Sequence, residues 1–234
     1  MRSVTDLVLA VAGVLRPGAP SLRWSLAQRH ALIDHLVRGA PQVLELAAGL
    51  SRRGAAMSTD DRVRYVEVDL PPMVARKEAL LARSAVGRAV LARPNLIRVG
   101  GDARDLDLAA LLQPGPAVVV AEGLLVYLEP EAQRALWARV AAALPAGGAI
   151  VFDLTPRPEE PPPGWLGRAL GWLMGRFTGG RGFVRDARDR ARILEELRAA
   201  GFAEAEALEP AAVPEAPLPG RDRRTQVVIF RATR

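Results

Sequence analysis

VLELAAGLSRRG, Val43 to Gly54, is an apolar run that closes on an acid and passes into a turn of small residues. That is the pattern of a buried strand followed by a nucleotide-binding loop, where glycine lets the backbone approach a ligand and aim its N–H groups at it. Only Gly49 stands where such loops carry several glycines, and neither GxGxxG nor GxxxxGK[ST] occurs in the chain. Ala47 and Ala48 permit a tight turn provided their φ angles are negative, but their methyl groups block the close approach that a pyrophosphate demands. The loop therefore suits a ligand without phosphates better than NAD or ATP.

Outward from this stretch, short β-rich apolar runs alternate with longer helical patterns, which predicts a parallel sheet covered on both faces. Strands are expected at 43–46, 63–68, 96–99, 117–121, 149–154, 203–208 and 225–231. A helix starts at Pro130, keeps Leu136, Val140 and Leu144 on one face and stops at PAGG. Another spans 187–200 with Ile193, Leu194 and Leu197 inward and Gly201 as its C-terminal cap. Pro71 and Pro72 open a helix after the second strand. The last two strands follow each other without a crossover helix, so they should form an antiparallel pair at one edge. The expected fold is α/β and Rossmann-like: a doubly wound, mostly parallel seven-stranded sheet with an antiparallel last strand.

Three further strand ends carry acids. YVEVDLPP places Asp69 at the end of the second strand, where a carboxylate accepts both hydroxyls of a ribose. VGGDARDLD places Asp102 after the third, where it suits an adenine amino group, and VVVAEGLLVYL places Glu122 after the fourth. Gly49, Asp69, Asp102 and Glu122 thus share the carboxyl edge of successive strands, where open α/β sheets bind ligands.

Composition removes other classes. The absence of cysteine excludes thiolate catalysis and cysteine-ligated metal, and suits a reducing, cytoplasmic setting. His30 and His35 alone are too few for most zinc sites, so no metal is expected. The net charge of +6 comes almost wholly from arginines spread along the chain, with Lys77 the only lysine, so no phosphate-binding stripe and no nucleic-acid partner is expected. The apolar stretch VTDLVLAVAGVL is interrupted by Asp6 and falls far short of the ~20 residues of a membrane span, and it reads as a packed helix.

The four segments VLELAAGLSRRG, YVEVDLPPMVARK, GGDARDL and AEGLLVYL, in this order, resemble class I S-adenosylmethionine-dependent methyltransferases. The branch is the one that includes leucine carboxyl methyltransferases and bacterial polyketide-type O-methyltransferases. The likeness covers roughly Trp24 to Phe152. It implies S-adenosyl-L-methionine as cofactor, lying along Gly49 with Asp69 on its ribose, Asp102 and Ala103 at its adenine, and Glu122 near its methionine end. Glu45, Ala47 and Leu70 belong to the same implied set. Two places depart from the pattern: Ala47 replaces a glycine, and Ser51 to Arg53 replace an Asp-Thr-Arg run, leaving Arg53 either a loop contact or a solvated side chain.

The helix SLRWSLAQRHALIDHLVRG adds one residue. Leu22, Leu26, Ile33 and Leu36 form a stripe on which Arg29 also falls, and a buried guanidinium needs an anion. Asp34, five positions along, points elsewhere and is better matched to His30. The resemblance supplies the anion: Arg29 matches the arginine that binds the cofactor's carboxylate.

Residues 1–40 are expected to form a helical segment over the cofactor site, and 41–234 the methyltransferase domain. A lid-like insertion at about 155–186 bears Trp165, Trp172 and Arg176 toward an apolar acceptor, with dimer contact and interfacial membrane helix as alternatives. The expected reaction is O-methylation of a carboxylate or hydroxyl on a small apolar molecule. A non-catalytic S-adenosylmethionine-binding module and methylation of a protein carboxylate remain open, as does the oligomeric state. A carboxylate acceptor needs no base, whereas a phenol of pKa ~10 benefits from one. His30, His35, Tyr127 and Glu122 are the candidates, and none stands out.

Overall fold

Period-two alternation along the strands gives the sheet two apolar faces, each covered by helices. The computed structural model describes residues 22–155, 187–223, 225 and 227–234. The strands are β1 (Gln42–Leu46), β2 (Arg64–Asp69), β3 (Leu96–Gly100), β4 (Val118–Ala121), β5 (Ala149–Asp153), β6 (Glu204–Leu208) and β7 (Ile229–Thr233). Their order is β3-β2-β1-β4-β5-β7-β6. Pairing is parallel from β3 through β5, and β7 runs antiparallel to both β5 and β6. The expected seven-stranded sheet is present. Its last strand starts at Ile229 rather than residue 225, because the preceding segment is held as an irregular turn. Arg221 there donates to the carbonyls of Pro210, Val213, Pro214 and Ala216, and Gln28 donates to that of Gly220.

One face carries Leu44, Leu46, Val66, Val119, Ile150 and Phe152 against helices α6 (Pro130–Ala143) and α7 (Arg190–Ala199). Leu136, Val140 and Leu144 lie fully buried there, as do Ile193 and Leu197, so the predicted inward faces of both helices hold, with Gly201 at φ +108° after the second. Trp137, Phe152 and Phe230 pack ring to ring in the middle of this layer. The other face carries Val43, Tyr65, Val120, Val151 and Ile229 against α1 (Leu22–Leu36).

Helix α1 keeps Ile33 and Leu36 of the predicted stripe on its inner side and corrects Leu26. Its sheet-facing residues are Gln28, Leu32 and Ile33, with Val37 just beyond, whereas Leu26 is 43% exposed. Gln28 is tolerated inside because its amide bonds the Gly220 carbonyl and accepts from the Thr225 hydroxyl.

Strand parity also decides where the acids go. Glu45 alternates with Leu44 and Leu46 and so lies on the α1 side. Glu67, Glu122 and Asp153 have the same parity in their strands or just beyond them. The remaining helices are α2 (Arg53–Met57), α3 (Pro71–Leu81, opened by Pro71 and Pro72 as expected), α4 (Ala85–Leu91) and α5 (Leu108–Leu111). The expected N-terminal helix over residues 4–15 and the insertion with Trp165, Trp172 and Arg176 lie outside the described residues.

Candidate functional site

The predicted strand-end residues gather along one edge of the sheet, in two groups. The first surrounds the loop after β1. Gly49, at φ +50°, donates its N–H to Asp69 Oδ2 at 2.6 Å, and the Leu70 N–H donates to Asp69 Oδ1 at 2.7 Å. Both oxygens are thereby aimed by backbone, each with lone pairs left. Space above Gly49 is open: a Cβ there would find only the Ala47 carbonyl, at 3.9 Å. Ala48, Gly49, Asp69 and Val74 line a recess beside it.

Ala47 departs from the expected backbone. Its φ is +54°, the left-handed region, where the sequence reading required a negative angle. The Ala48 N–H bonds the Val68 carbonyl at 3.0 Å, and this fixes the turn in spite of the Cβ cost. A glycine at 47 would carry no such cost, which accounts for the glycine that the motif usually has there.

Asp102, after β3, accepts the Arg104 N–H at 2.9 Å and pairs with the Arg104 guanidinium, Oδ2 to Nη2 2.5 Å. Ala103 beside it is buried. Leu70 is half exposed, and Tyr127 lies in a short 3-10 turn, Leu125–Tyr127, that leads toward α6.

The second group is ionic. Arg53, 2% exposed, donates from Nε to Asp34 (2.5 Å), from Nη1 to Glu45 (2.5 Å) and from Nη2 to Glu122 (2.6 Å). Its backbone N–H contacts the loop at Ser51 Oγ, 3.2 Å, but its guanidinium is not solvated: three acids from α1, β1 and the end of β4 converge on it. Glu45 spends its other oxygen on the Tyr65 hydroxyl at 2.8 Å. Arg29 donates from Nε to Glu122 and from Nη1 to Asp153, both at 3.0 Å, and Asp153 also accepts the Gly123 N–H at 2.5 Å. The anion that the buried guanidinium required is thus supplied by the protein twice over. Neither acid takes Nη2, which lies toward Gly123. His30 bonds Glu122 through Nδ1 at 3.1 Å and reaches Asp34 through Nε2 at 3.5 Å, as its spacing suggested.

These partners set the protonation states. Burial works against the Glu122 anion, but His30, Arg53 and Arg29 outweigh it and hold the carboxyl down to about 2. Glu122 is consequently a poor proton acceptor at neutral pH. The hydrogen bond to Glu122 raises His30 above its ordinary value. Burial raises Asp153 and Glu45 in spite of their arginine partners. Counted formally, Asp34, Glu45, Glu122 and Asp153 face the guanidiniums of Arg29 and Arg53 and the His30 ring, so an acidic surplus remains even when His30 is protonated. The sequence signal for Arg53 was its place just after the loop. Asp153, at the end of β5, extends the series of strand-end acids but was missed. Among the described residues no group of three or more acids and histidines could hold a metal ion, and no helix is long and apolar enough to cross a membrane.

Residues 13–141 match the family model described as leucine carboxyl methyltransferase. A Frankia alni protein named as an S-adenosyl-L-methionine-dependent methyltransferase is 31% identical over 224 residues, 76% of either chain. A Mycolicibacterium gilvum protein of the same name is 36% identical over 123 residues, 50% of this chain and 39% of the relative. The chain thus spans about two fifths of some curated relatives that it matches. Among solved structures, human N-acetylserotonin methyltransferase in complex with SAM superposes with a TM-score of 0.57 at 14% identity, covering 91% of this chain and 52% of that one. Mitomycin 7-O-methyltransferase gives 0.57 at 17% identity, covering 92% and 54%. At such identity they attest to the fold.

Proposed function

Because the chain belongs to the leucine carboxyl methyltransferase family, we propose that it transfers a methyl group from S-adenosylmethionine to an oxygen of a small apolar molecule. The observation that carries this reading is the pairing of an aimed, open carboxylate at Asp69 on β2 with an acidic surplus at the ends of β1, β4 and β5. A ribose diol needs the first; a ligand with ammonium and sulfonium charges suits the second. The residues fit the cofactor: Asp69 takes the ribose hydroxyls, Gly49 allows close approach, and Asp102 with Ala103 takes the adenine. Glu45, Ala47 and Leu70 shape the same wall. Arg29 presents Nη2 to the carboxylate of the amino-acid tail, while Glu122 and Asp153 keep the guanidinium fixed.

Bound S-adenosylmethionine supplies a methyl group already activated by positive sulfur, so what the protein adds is alignment and charge placement. A carboxylate acceptor is favoured over a phenol. Glu122 is held as a weak base, and the His30 Nδ1 faces Glu122 and Arg53. The name of one neighbour, a mitomycin 7-O-methyltransferase, supports oxygen chemistry in general. Tyr127 is the acceptor-side candidate among the described residues, and Trp165, Trp172 and Arg176, of the expected insertion at about 155–186, are acceptor-side candidates outside them.

A screen with methyl-labelled cofactor against carboxylate and hydroxyl acceptors of graded hydrophobicity tests the reaction, with label expected on carboxylates first. Absence of label on every acceptor, with S-adenosylhomocysteine still bound, would reassign the chain to non-catalytic binding. For the clamp, Arg29→Lys should weaken S-adenosylmethionine binding about tenfold or more while methylthioadenosine, which lacks the amino-acid tail, binds both forms alike. Parallel loss for both ligands would remove Arg29 from the clamp.

A further inference from the structure

Arg139 lies on α6, away from every motif described above, yet its guanidinium reaches into the turn that follows β3. Nη1 donates to the Ala103 carbonyl at 3.0 Å and to that of Arg104, and Nη2 donates to that of Leu106. One side chain therefore holds three backbone acceptors of a single turn, spanning 103–106. From this geometry we infer that Arg139 is a positioning residue that sets base specificity: it fixes the turn in which Asp102 and Ala103 read the adenine. The inference rests on the cofactor reading above.

The turn's own bonds fix its shape but not its place. Asp105 and Leu106 donate their N–H groups to the Asp102 carbonyl at 2.9 and 3.1 Å, and Arg104 closes on the Asp102 carboxylate. These contacts begin and end within the turn, so they move with it. Two contacts hold it at the β3 end: the Gly101 N–H bonds the Asp69 carbonyl at 2.8 Å, and the Leu106 side chain packs against Gly101, where a Cβ would stand 2.8 Å from it. Ala103 and Leu106 also pack into the apolar layer that α6 lines. The polar tie to α6 comes from Arg139, whose planar fork reaches three carbonyls at once, as a lysine ammonium cannot. Reading adenine needs an acceptor for its 6-amino group and a donor for the adjacent ring nitrogen, and both must be held to within a fraction of an ångström. Apolar packing of Ala103 and Leu106 is not directional and does not aim these groups, whereas the Arg139 hydrogen bonds do.

The test uses S-adenosylhomocysteine and its analogue with a 6-oxo group in place of the 6-amino group, titrated calorimetrically into wild type, Arg139→Ala and Arg139→Lys. Wild type should prefer the adenine form by about tenfold or more. In Arg139→Ala the preference should fall to near unity, through loss of the adenine form with little change for the 6-oxo form, and Arg139→Lys should lie between. Hydrogen exchange on the ligand-free proteins supplies an independent readout: the Asp105 and Leu106 amides should exchange faster in Arg139→Ala while β1 and β4 amides stay protected. If those strand amides also open, Arg139→Lys decides both readouts. A wild-type protein that binds neither nucleoside overturns the cofactor reading itself. Wild-type binding with an unchanged preference in the variants, or unchanged exchange at Asp105 and Leu106, overturns the role of Arg139 alone.

Discussion

The two ends of the proposed cofactor site are built by opposite means. Around the ribose and adenine, contacts are short in sequence: Leu70 to Asp69, Arg104 to Asp102, and Gly49 to Asp69 across one strand-to-strand crossing. Around the methionine end, Arg29, Arg53, His30, Glu45, Glu122 and Asp153 come from α1, α2, β1, β5 and the end of β4, and the links between Arg29 and Asp153 and between His30 and Glu122 span 124 and 92 residues of sequence. One end is therefore assembled mainly by local turns, with Arg139 of α6 as its longer-range tie. The other exists only when the sheet and α1 have docked, so it ties ligand binding to global stability.

Removing the hub should separate the two ends most sharply. Arg53→Ala leaves Glu45 and Glu122 buried without their main cation and should cost about 3–5 kcal/mol in denaturant unfolding. A loss below ~1 kcal/mol would show that the ionic end is dispensable to the fold.

Acid should act on the same end. With Glu122 held at about 2, its ionised form stabilises the native state above the ~4.5 of the unfolded chain, and this contribution disappears as pH falls through about 2. It amounts to up to about 3 kcal/mol. Glu122→Gln should flatten the stability decline between those limits, measured as urea midpoints against pH. His30, raised by Glu122, gives the reverse slope: its contribution is full below its unfolded value near 6.5 and fades as pH rises through its higher folded value.

The local end should answer to ligand and not to denaturant. Asp69→Ala should weaken S-adenosylhomocysteine binding about tenfold or more. The urea midpoint should barely move. A large stability loss would mean that the Asp69 bonds to Gly49 and Leu70 hold the fold and not merely the loop. The smallest effect belongs to Ala47→Gly. Relief of the left-handed strain, partly offset by greater freedom in the unfolded chain, should stabilise by about 0.5–1 kcal/mol, visible as a modest rise in Tm.

The same contrast explains what the sequence revealed. Asp69, Asp102 and Gly49 were legible because strand-end position and spacing fix them locally, and the helices after Pro71 and Pro130 because proline and periodicity mark them. The partners of Arg29 were not legible. Only parity in separate strands, combined with strand order, brings Glu122 and Asp153 to one guanidinium, and no short-range pattern encodes that order. Arg53 was ambiguous for the same reason: its acids lie on three elements that meet only in the fold. Ala47 misled because alanine's ordinary preference is for negative φ, and here the surrounding turn overrides it. The exposed Leu26 shows the limit of a helical stripe read without knowing which side meets the sheet.

The insertion of β7 between β5 and β6 bears on synthesis. Until Ile229–Thr233 has left the ribosome, β5 presents a bare edge and β6 has no neighbour, since both ladders run through that one strand. Phe152 lacks its stacked partner Phe230 over the same interval. A nascent chain halted there displays an unpaired apolar edge, the kind of surface that chaperones and aggregates compete for. Losing this one strand removes two from the sheet, so the domain gains its full width in a single late step.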